Sequence, residues 1–417
     1  MLSRRHLTAA TASALLAVGG VVVPALTAPA AAAPKPRPGA TPTLPVPRAT
    51  VQPLQSVGGP KLAATGIVTD LPPGVPAPPK LRDVAWLLAD LQTGEVVAAK
   101  APHARLLPAS TLKTLTALTL IPQVPPDEVV KASAADAAAD GTRVGMVPGQ
   151  TYTGRQLFQA LLMSSGNDAA YALAEAAGGR DKVLAQMNAN AAHLGAHDTV
   201  AKDPSGLDAP GQTSSAYDLA LIARAALQLP DFRAYVTTKQ ADFPGLVDPR
   251  TKKRKTYKIN NHNALLYNYP GTIGVKNGYT VAAHRTFISA VSRGGHTYLL
   301  TEMYGLDNSW RPQAAMYDWA FRYASKARPV GRLVEPGEVT APLSAPPTAV
   351  AGAPGDTGAQ PAQRTAAAAA VPPAQLGPVA SVTPWLGFGG LAALVGAVAG
   401  LRLRAKRAVR GRHRALS

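Results

Sequence analysis

This chain can bury a core only in its middle. Of its 417 residues, only the stretch from Leu81 to Val334 has the mixed apolar, polar and charged composition of a folded domain. The flanks are built largely from Ala, Pro, Gly and Thr. Such segments carry too few large side chains to offset the entropy of ordering a chain. The middle stretch is long enough for one large domain, or for two lobes that share a site. The chain has no cysteine. Disulfides, thiolate metal sites and a Cys nucleophile are therefore excluded, and packing alone must hold the fold.

The flanks read as addresses and tethers. Residues 1–33 have the form of a signal peptide: Arg4 and Arg5, an apolar run from Leu7 to Leu26, then small residues at Ala28 and Ala30 to Ala33 for cleavage. Ser3-Arg4-Arg5-His6-Leu7 loosely matches a twin-arginine signal, so the export route is open. Residues 34–80 are Pro-rich and lack apolar periodicity, which predicts a disordered spacer. Residues 335–384 read as an Ala/Pro-rich stalk. Trp385 to Leu401 is an uncharged apolar run of 17 residues, and 385–403 is the expected membrane helix. The basic tail, 404–417 with Arg402 just before it, is expected to be cytoplasmic by the positive-inside rule. The domain at 81–334 is then expected outside, on the cell-wall side of a single-pass membrane anchor. An exported domain without cysteine suits a bacterial surface.

The formal charge of +18 is uneven, with seven basic residues in the last sixteen positions. From Arg82 to Glu335 there are 27 basic and 21 acidic residues, a net of +6. That is too mild to predict a nucleic-acid partner. One local cluster stands out: Arg250, Lys252, Lys253, Arg254, Lys255 and Lys258. It reads as a solvated hairpin tip, or as an attractor for anionic wall polymers or lipid head groups.

Two apolar runs, Ala85 to Leu88 and Val96 to Ala98, flank a Gln92-Thr93-Gly94 turn and predict a hairpin. Helical patterns follow at Ser110–Leu120, Gly154–Ser164, Asp168–Ala177, Arg180–Leu194 and Ala216–Leu227. Strand patterns return at Thr286–Val291 and Thr297–Met303, and a last helix fits Gln313–Ser325. Strands at both ends with helices between them predict an α+β domain: an antiparallel sheet flanked by helices, with a helical lobe inserted.

Three short motifs carry possible chemistry. Ser110-Thr111-Leu112-Lys113 places a hydroxyl and an amine three residues apart on one helix face. A capping box would want Glu or Gln at that fourth position. A cation in the first turn opposes the helix dipole by about 0.3–1 kcal/mol. Ser165-Gly166-Asn167 follows an apolar helix, where a plain helix terminus would look the same. Lys276-Asn277-Gly278-Tyr279 contains Asn-Gly, the strongest short hairpin signal. The other reading puts Lys276 on an edge strand lining a cleft. Each of the three patterns occurs once, in this order. The histidines are scattered, and the His193/His197 pair is too weak to predict a metal site.

Taken together, the boxes resemble the penicillin-recognising serine enzymes, and among them the low-molecular-weight D-alanyl-D-alanine carboxypeptidases. The match continues through Ala89-Asp90, Gly206-Leu207, and Asn260 to Leu266, covering about Val84 to Leu306. One departure is Asn277, where the family usually has Thr or Ser. The resemblance implies a β-lactamase/DD-peptidase-like fold that needs no metal or cofactor. It implies Ser110 as nucleophile, Lys113 as base, and Ser165 and Asn167 as relay and amide holder. Lys276, Asn277, Gly278 and Tyr279 would form the substrate-binding strand, and the N–H groups of Ser110 and Tyr279 the oxyanion hole. Arg285 or Arg293 would be near the substrate carboxylate. The implied substrate is the peptidoglycan stem pentapeptide, with β-lactam antibiotics as inhibitors. A β-lactamase, a D-alanyl endopeptidase and a catalytically weak wall-binding homologue share these boxes. No Glu-x-x-Leu-Asn segment of the class A β-lactamase kind is present.

Overall fold

The structure, a computed structural model, describes residues 56–338. The leader, residues 34–55 of the spacer, nearly all of the stalk, the apolar run at 385–403 and the basic tail lie outside the described residues. Among the described residues no helix is long and apolar enough to cross a membrane.

The chain opens with β1 (Ile67–Thr69), the hairpin β2 (Asp83–Asp90) and β3 (Glu95–Lys100), and a short 3₁₀ turn at Ala109–Leu112. Then come α1 (Lys113–Leu120), β4 (Val129–Lys131), α2 (Ala134–Ala137), β5 (Thr151–Thr153), α3 (Gly154–Met163), α4 (Asn167–Ala176), α5 (Arg180–His193), α6 (Ala216–Ala226) and α7 (Pro230–Thr237). A second hairpin, β6 (Gln240–Val247) and β7 (Arg254–Asn260), leads through α8 (Ala264–Asn268) to β8 (Thr272–Thr280), β9 (His284–Arg293) and β10 (His296–Gly305). The chain returns through α9 (Arg311–Tyr323) and β11 (Gly331–Arg332).

The main sheet runs β1-β3-β2-β10-β9-β8, with β11 also on β3, and every pairing is antiparallel. Strands from both chain ends thus close one sheet, and the helices between them form the lobe, as the pattern predicts. Central β2 is buried along its whole length. Its Ala85, Leu87 and Ala89 join the core beneath the helical lobe, while Trp86 and Leu88 pack with α9 on the other face. A strand covered on both faces must be apolar without alternation, and Ala85 to Leu88 is.

Helix α3 starts on a capping box in which Thr153 and Gln156 exchange bonds. Its Leu157, Phe158, Leu161 and Leu162 are buried. Helix α6 is capped by Ser215, whose hydroxyl accepts from Asp218 N, and nearly every residue of it is buried. These two helices and α1 form the floor from which the site is built.

The structure corrects one expectation and decides between two readings of Asn277-Gly278. The later half of the Pro-rich segment is packed onto the domain. Leu62 is fully buried, β1 pairs with Ala98–Lys100, and Trp319 Nε1 donates to Pro76 O at 2.8 Å. The sheet edge at β3 supplies the hydrogen bonds that such a sequence cannot specify locally. Asn277-Gly278 is no turn either. Both residues lie inside β8, and the turn falls at 281–283. Pairing with β9 from Thr272 to Thr280 outweighs the local turn preference. β8 is the sheet's edge, as the alternative reading requires.

Candidate active site

Ser110 sits in the 3₁₀ turn that leads into α1, and Lys113 is the first residue of the helix proper. Ala109, just before the nucleophile, has φ 47°, a left-handed conformation rare outside glycine. Gly206 packs against it so closely that a Cβ there would lie 2.1 Å from Ala109 O. The turn is held in its strained form by its neighbours, a pattern typical of functional sites.

Lys113 is fully buried, and its ammonium nitrogen meets three oxygens. Ser110 Oγ lies at 3.0 Å, Asn167 Oδ1 at 2.6 Å and Ser205 O at 2.6 Å. The last two are obligate acceptors, since a carbonyl oxygen has no proton to give. Burial pushes the Lys113 amine well below its ordinary value, and the nearby Lys276 charge pushes it further. Asp203 and Asp168 act the other way. Burial alone brings Lys276 down to about 7. Its Nζ donates to Asn277 O at 2.7 Å.

Asn167 opens α4 and is held from both sides of its amide. Nδ2 donates to Asp140 O at 2.6 Å while Oδ1 accepts a hydrogen bond from Lys113 Nζ. Asp168, fully buried, accepts from the backbone N–H groups of Val144, Gly145, Met146 and Ala169. That pins the 144–146 loop beside Asn167. Ser165 has φ 61°, a second left-handed residue in a chemical box. Its hydroxyl makes no hydrogen bond to another described residue.

β8 forms the facing wall. Gly278 approaches the nucleophile so closely that a Cβ would lie 2.7 Å from Ser110 N and 3.0 Å from Thr111 N. Thr286 of β9, opposite Gly278, donates to Pro108 O at 2.8 Å and ties the sheet to the nucleophile turn. Asn277 is half-buried and its amide makes no hydrogen bond among the described residues. Tyr279 is 64% exposed beside the cleft. Arg285 is bonded to Asp307 O, and Arg293 stacks over Tyr269 at the opposite end of β9. Neither cation is free at the strand that carries Lys276.

The sequence pattern did not flag Asp203. It accepts from Ser205 N at 2.7 Å and Tyr171 Oη at 2.8 Å, and also from the Ser205 hydroxyl. It therefore fixes the Ser205 carbonyl that receives a Lys113 proton. The signal available was Asp-Pro-Ser-Gly, a turn pattern in which Asp bonds the N–H two residues on. The described residues also hold a buried group of His103, Asp198 and Asp218 outside this site.

A nucleophile, a buried amine with two fixed acceptors, and an edge strand pressed against the nucleophile's N–H make an acyl-transfer centre. The family model for D-alanyl-D-alanine carboxypeptidase matches residues 74–303. The chain belongs to the D-alanyl-D-alanine carboxypeptidase family. DacB2, a D-alanyl-D-alanine carboxypeptidase of Mycobacterium tuberculosis, is 42% identical over 243 residues, covering 57% of this chain and 81% of that protein. A crystal structure of a D-alanyl-D-alanine carboxypeptidase from Mycobacterium tuberculosis superposes with a TM-score of 0.59 at 40% identity, covering 64% of this chain and 100% of that one. The crystal structure of a Streptomyces DD-transpeptidase superposes with a TM-score of 0.55 at 28% identity, covering 60% of this chain and 99% of that one. The three motifs read from the sequence lie on the 3₁₀ turn and α1, on the α3–α4 loop, and on β8.

Proposed function

We propose that this chain is a serine D-alanyl-D-alanine carboxypeptidase that removes the terminal D-alanine from peptidoglycan stem pentapeptides. The observation that carries this reading is Lys113: buried, with two of its three contacts to obligate acceptors and the third to Ser110 Oγ.

Ser110 Oγ attacks the carbonyl between the two D-alanines and passes its proton to Lys113. A Lys near 10.4 would be protonated and inert at neutral pH, so its depression by burial and by Lys276 is the activating step. The developing oxyanion is held by the N–H groups of Ser110 and Tyr279, a contribution of about 2.7–4 kcal/mol per donor in such enzymes. Collapse breaks the C–N bond. The departing nitrogen takes the proton back from Lys113 through the Ser165 hydroxyl. D-alanine leaves, and water then cleaves the Ser110 ester, with Lys113 again accepting the proton. Asn167 holds the substrate amide, while Lys276 and Asn277 receive the terminal carboxylate. The Asn277 amide can donate as a Thr hydroxyl would. A β-lactam has a strained amide in place of the scissile bond, so it should acylate the same oxygen.

The leader at 1–33 and the apolar run at 385–403 with its basic tail support an outward-facing domain anchored in the membrane by one C-terminal helix. That is the compartment of the proposed substrate.

A fluorescent penicillin should label the purified protein and fail to label Ser110→Ala. Labelling that persists in the variant defeats the assignment. Release of D-alanine from a pentapeptide, together with a long-lived penicillin adduct, separates this activity from β-lactamase turnover and from a catalytically weak homologue.

A further inference from the structure

The basic cluster has no part in this chemistry. Its six cations, spread from Arg250 to Lys258, sit on the tip and outer strand of the β6–β7 hairpin. Three are already matched within the hairpin and its support. Lys255 pairs with Asp248 at 3.1 Å, and Lys258 with Asp242 at 2.9 Å. Arg254 donates to Gly245 O and Thr151 O and lies 4.5 Å over the Tyr152 ring. Arg250, Lys252 and Lys253 are exposed and have no side-chain partner among the described residues.

The tip is a built turn. Asp248 accepts from the N–H groups of Arg250 at 2.9 Å and Thr251 at 3.2 Å, and its backbone closes on Lys252 and Lys253. Lys252 has φ 56°, where Gly or Asn would be the easier choice. The turn thus presents three uncompensated cations on a backbone held by its own hydrogen bonds. Beside them the ladder slips between Pro244 and Val247, and such a bulge re-aims side chains. Leu246 is 66% exposed and Val247 38% exposed at that point.

We infer that this hairpin tip is a contact surface for an anionic lipid bilayer. The cations match the phosphate layer, and the two aliphatic side chains match the acyl boundary just beneath it. A hydrophilic polyanion would use the cations and leave Leu246 and Val247 in water. The base of the hairpin is part of the active-site wall. Tyr257 Oη donates to Val144 O, and Ser164 Oγ donates to Asn260 O at 3.0 Å. A tip resting on the bilayer therefore brings the cleft close to the membrane surface. The inference does not depend on the proposed activity.

Residues 56–338 suit the test, because the Mycobacterium tuberculosis structure that superposes on this domain does so over its whole chain. Sedimentation with phosphatidylglycerol-containing vesicles should carry the domain down, and pure phosphatidylcholine vesicles should leave it in solution. Arg250→Gln, Lys252→Gln and Lys253→Gln together should weaken binding on the order of 100-fold, since each cation near an anionic leaflet contributes about fivefold. Leu246→Ser with Val247→Ser should weaken it roughly tenfold. Circular dichroism and penicillin labelling should stay unchanged in both variants. Unaltered vesicle binding by the triple variant overturns the inference. Full binding by the serine variant, with equal binding of polyglutamate, also overturns it, because the surface then reads charge alone. Loss of penicillin labelling in every protein would refute the active-site reading and leave the vesicle result standing.

Discussion

Lys113 Nζ lies 3.0 Å from Ser110 Oγ while its other two contacts go to the carbonyl oxygens of Asn167 and Ser205. A neutral amine has two N–H bonds and one lone pair. Asn167 and Ser205 can only accept, so they take the two protons. The lone pair is left facing Ser110, whose hydroxyl then donates to it. An ammonium donating to all three oxygens fits the same contacts, so the geometry accommodates both forms; burial and the nearby Lys276 charge favour the neutral one.

Replacing Lys113 separates charge from basicity. Lys113→Arg keeps a cation but cannot deprotonate near neutral pH. Lys113→Met keeps the volume and loses both. Penicillin acylation should fall by about 100- to 10,000-fold in each, the usual contribution of a general base. A stopped-flow acylation rate for Lys113→Arg near that of the parent would exclude Lys113 as base.

The charges around Lys113 should move the pH profile in opposite directions. Acylation needs the neutral amine, so its rate falls as pH drops through the Lys113 pKa. Lys276 holds that pKa down and Asp203 holds it up. Lys276→Met should therefore shift the acid limb to higher pH, and Asp203→Asn should shift it to lower pH. Asp203→Asn should also slow acylation several-fold, because Ser205 loses part of its support. Acid limbs that coincide in all three proteins would show that Lys113 does not set the profile.

Lys276 should also leave a mark on stability. Its folded pKa, about 7, lies below the ordinary 10.5, so between those values the unfolded chain binds more protons. Its contribution to stability therefore rises with pH through that window, by at most about 1.4 kcal/mol per pH unit. Lys276→Met should melt higher than the parent at pH 7, and the gap should shrink toward pH 9.5. A gap that widens with pH, followed by thermal denaturation, contradicts the burial argument. The variant gains stability and loses function, as expected where an active site stores an unfavourable charge.

Gly278→Ala tests the close approach of β8 to the nucleophile. The added methyl would lie 2.5 Å from Thr286 Oγ1 and 2.7 Å from Ser110 N. β8 is an edge strand, so it can move outward without unfolding the sheet. Acylation should fall at least about 100-fold, comparable to loss of an oxyanion donor, with a change in melting temperature of only a few degrees. Normal acylation kinetics in Gly278→Ala would mean that β8 and Ser110 need not meet this closely.

Local pattern was enough for the first hairpin, the longer helices, β9, β10 and the three boxes, but not for β4 to β7, α2, α7 or α8. The apolar run of β2, the capped helix α3 and the Ser110-to-Lys113 spacing each depend on neighbours within a few residues, which is the range over which periodicity and capping act. The order of the boxes then carried the family. What the chain could not declare locally was decided by long-range pairing. Ile67–Thr69 became a strand because β3 offered it an edge, although its Pro-rich surroundings read as a spacer. Asn277-Gly278 stayed extended because β9 pairs with the whole of β8. Asp203 entered the site only when the fold brought Ser205 O to Lys113, 92 positions away in the chain. The sequence by itself thus singled out the side chains proposed to carry the chemistry. The tertiary structure decided their protonation, because burial and the charges of Lys276, Asp203 and Asp168 act through space and not along the chain.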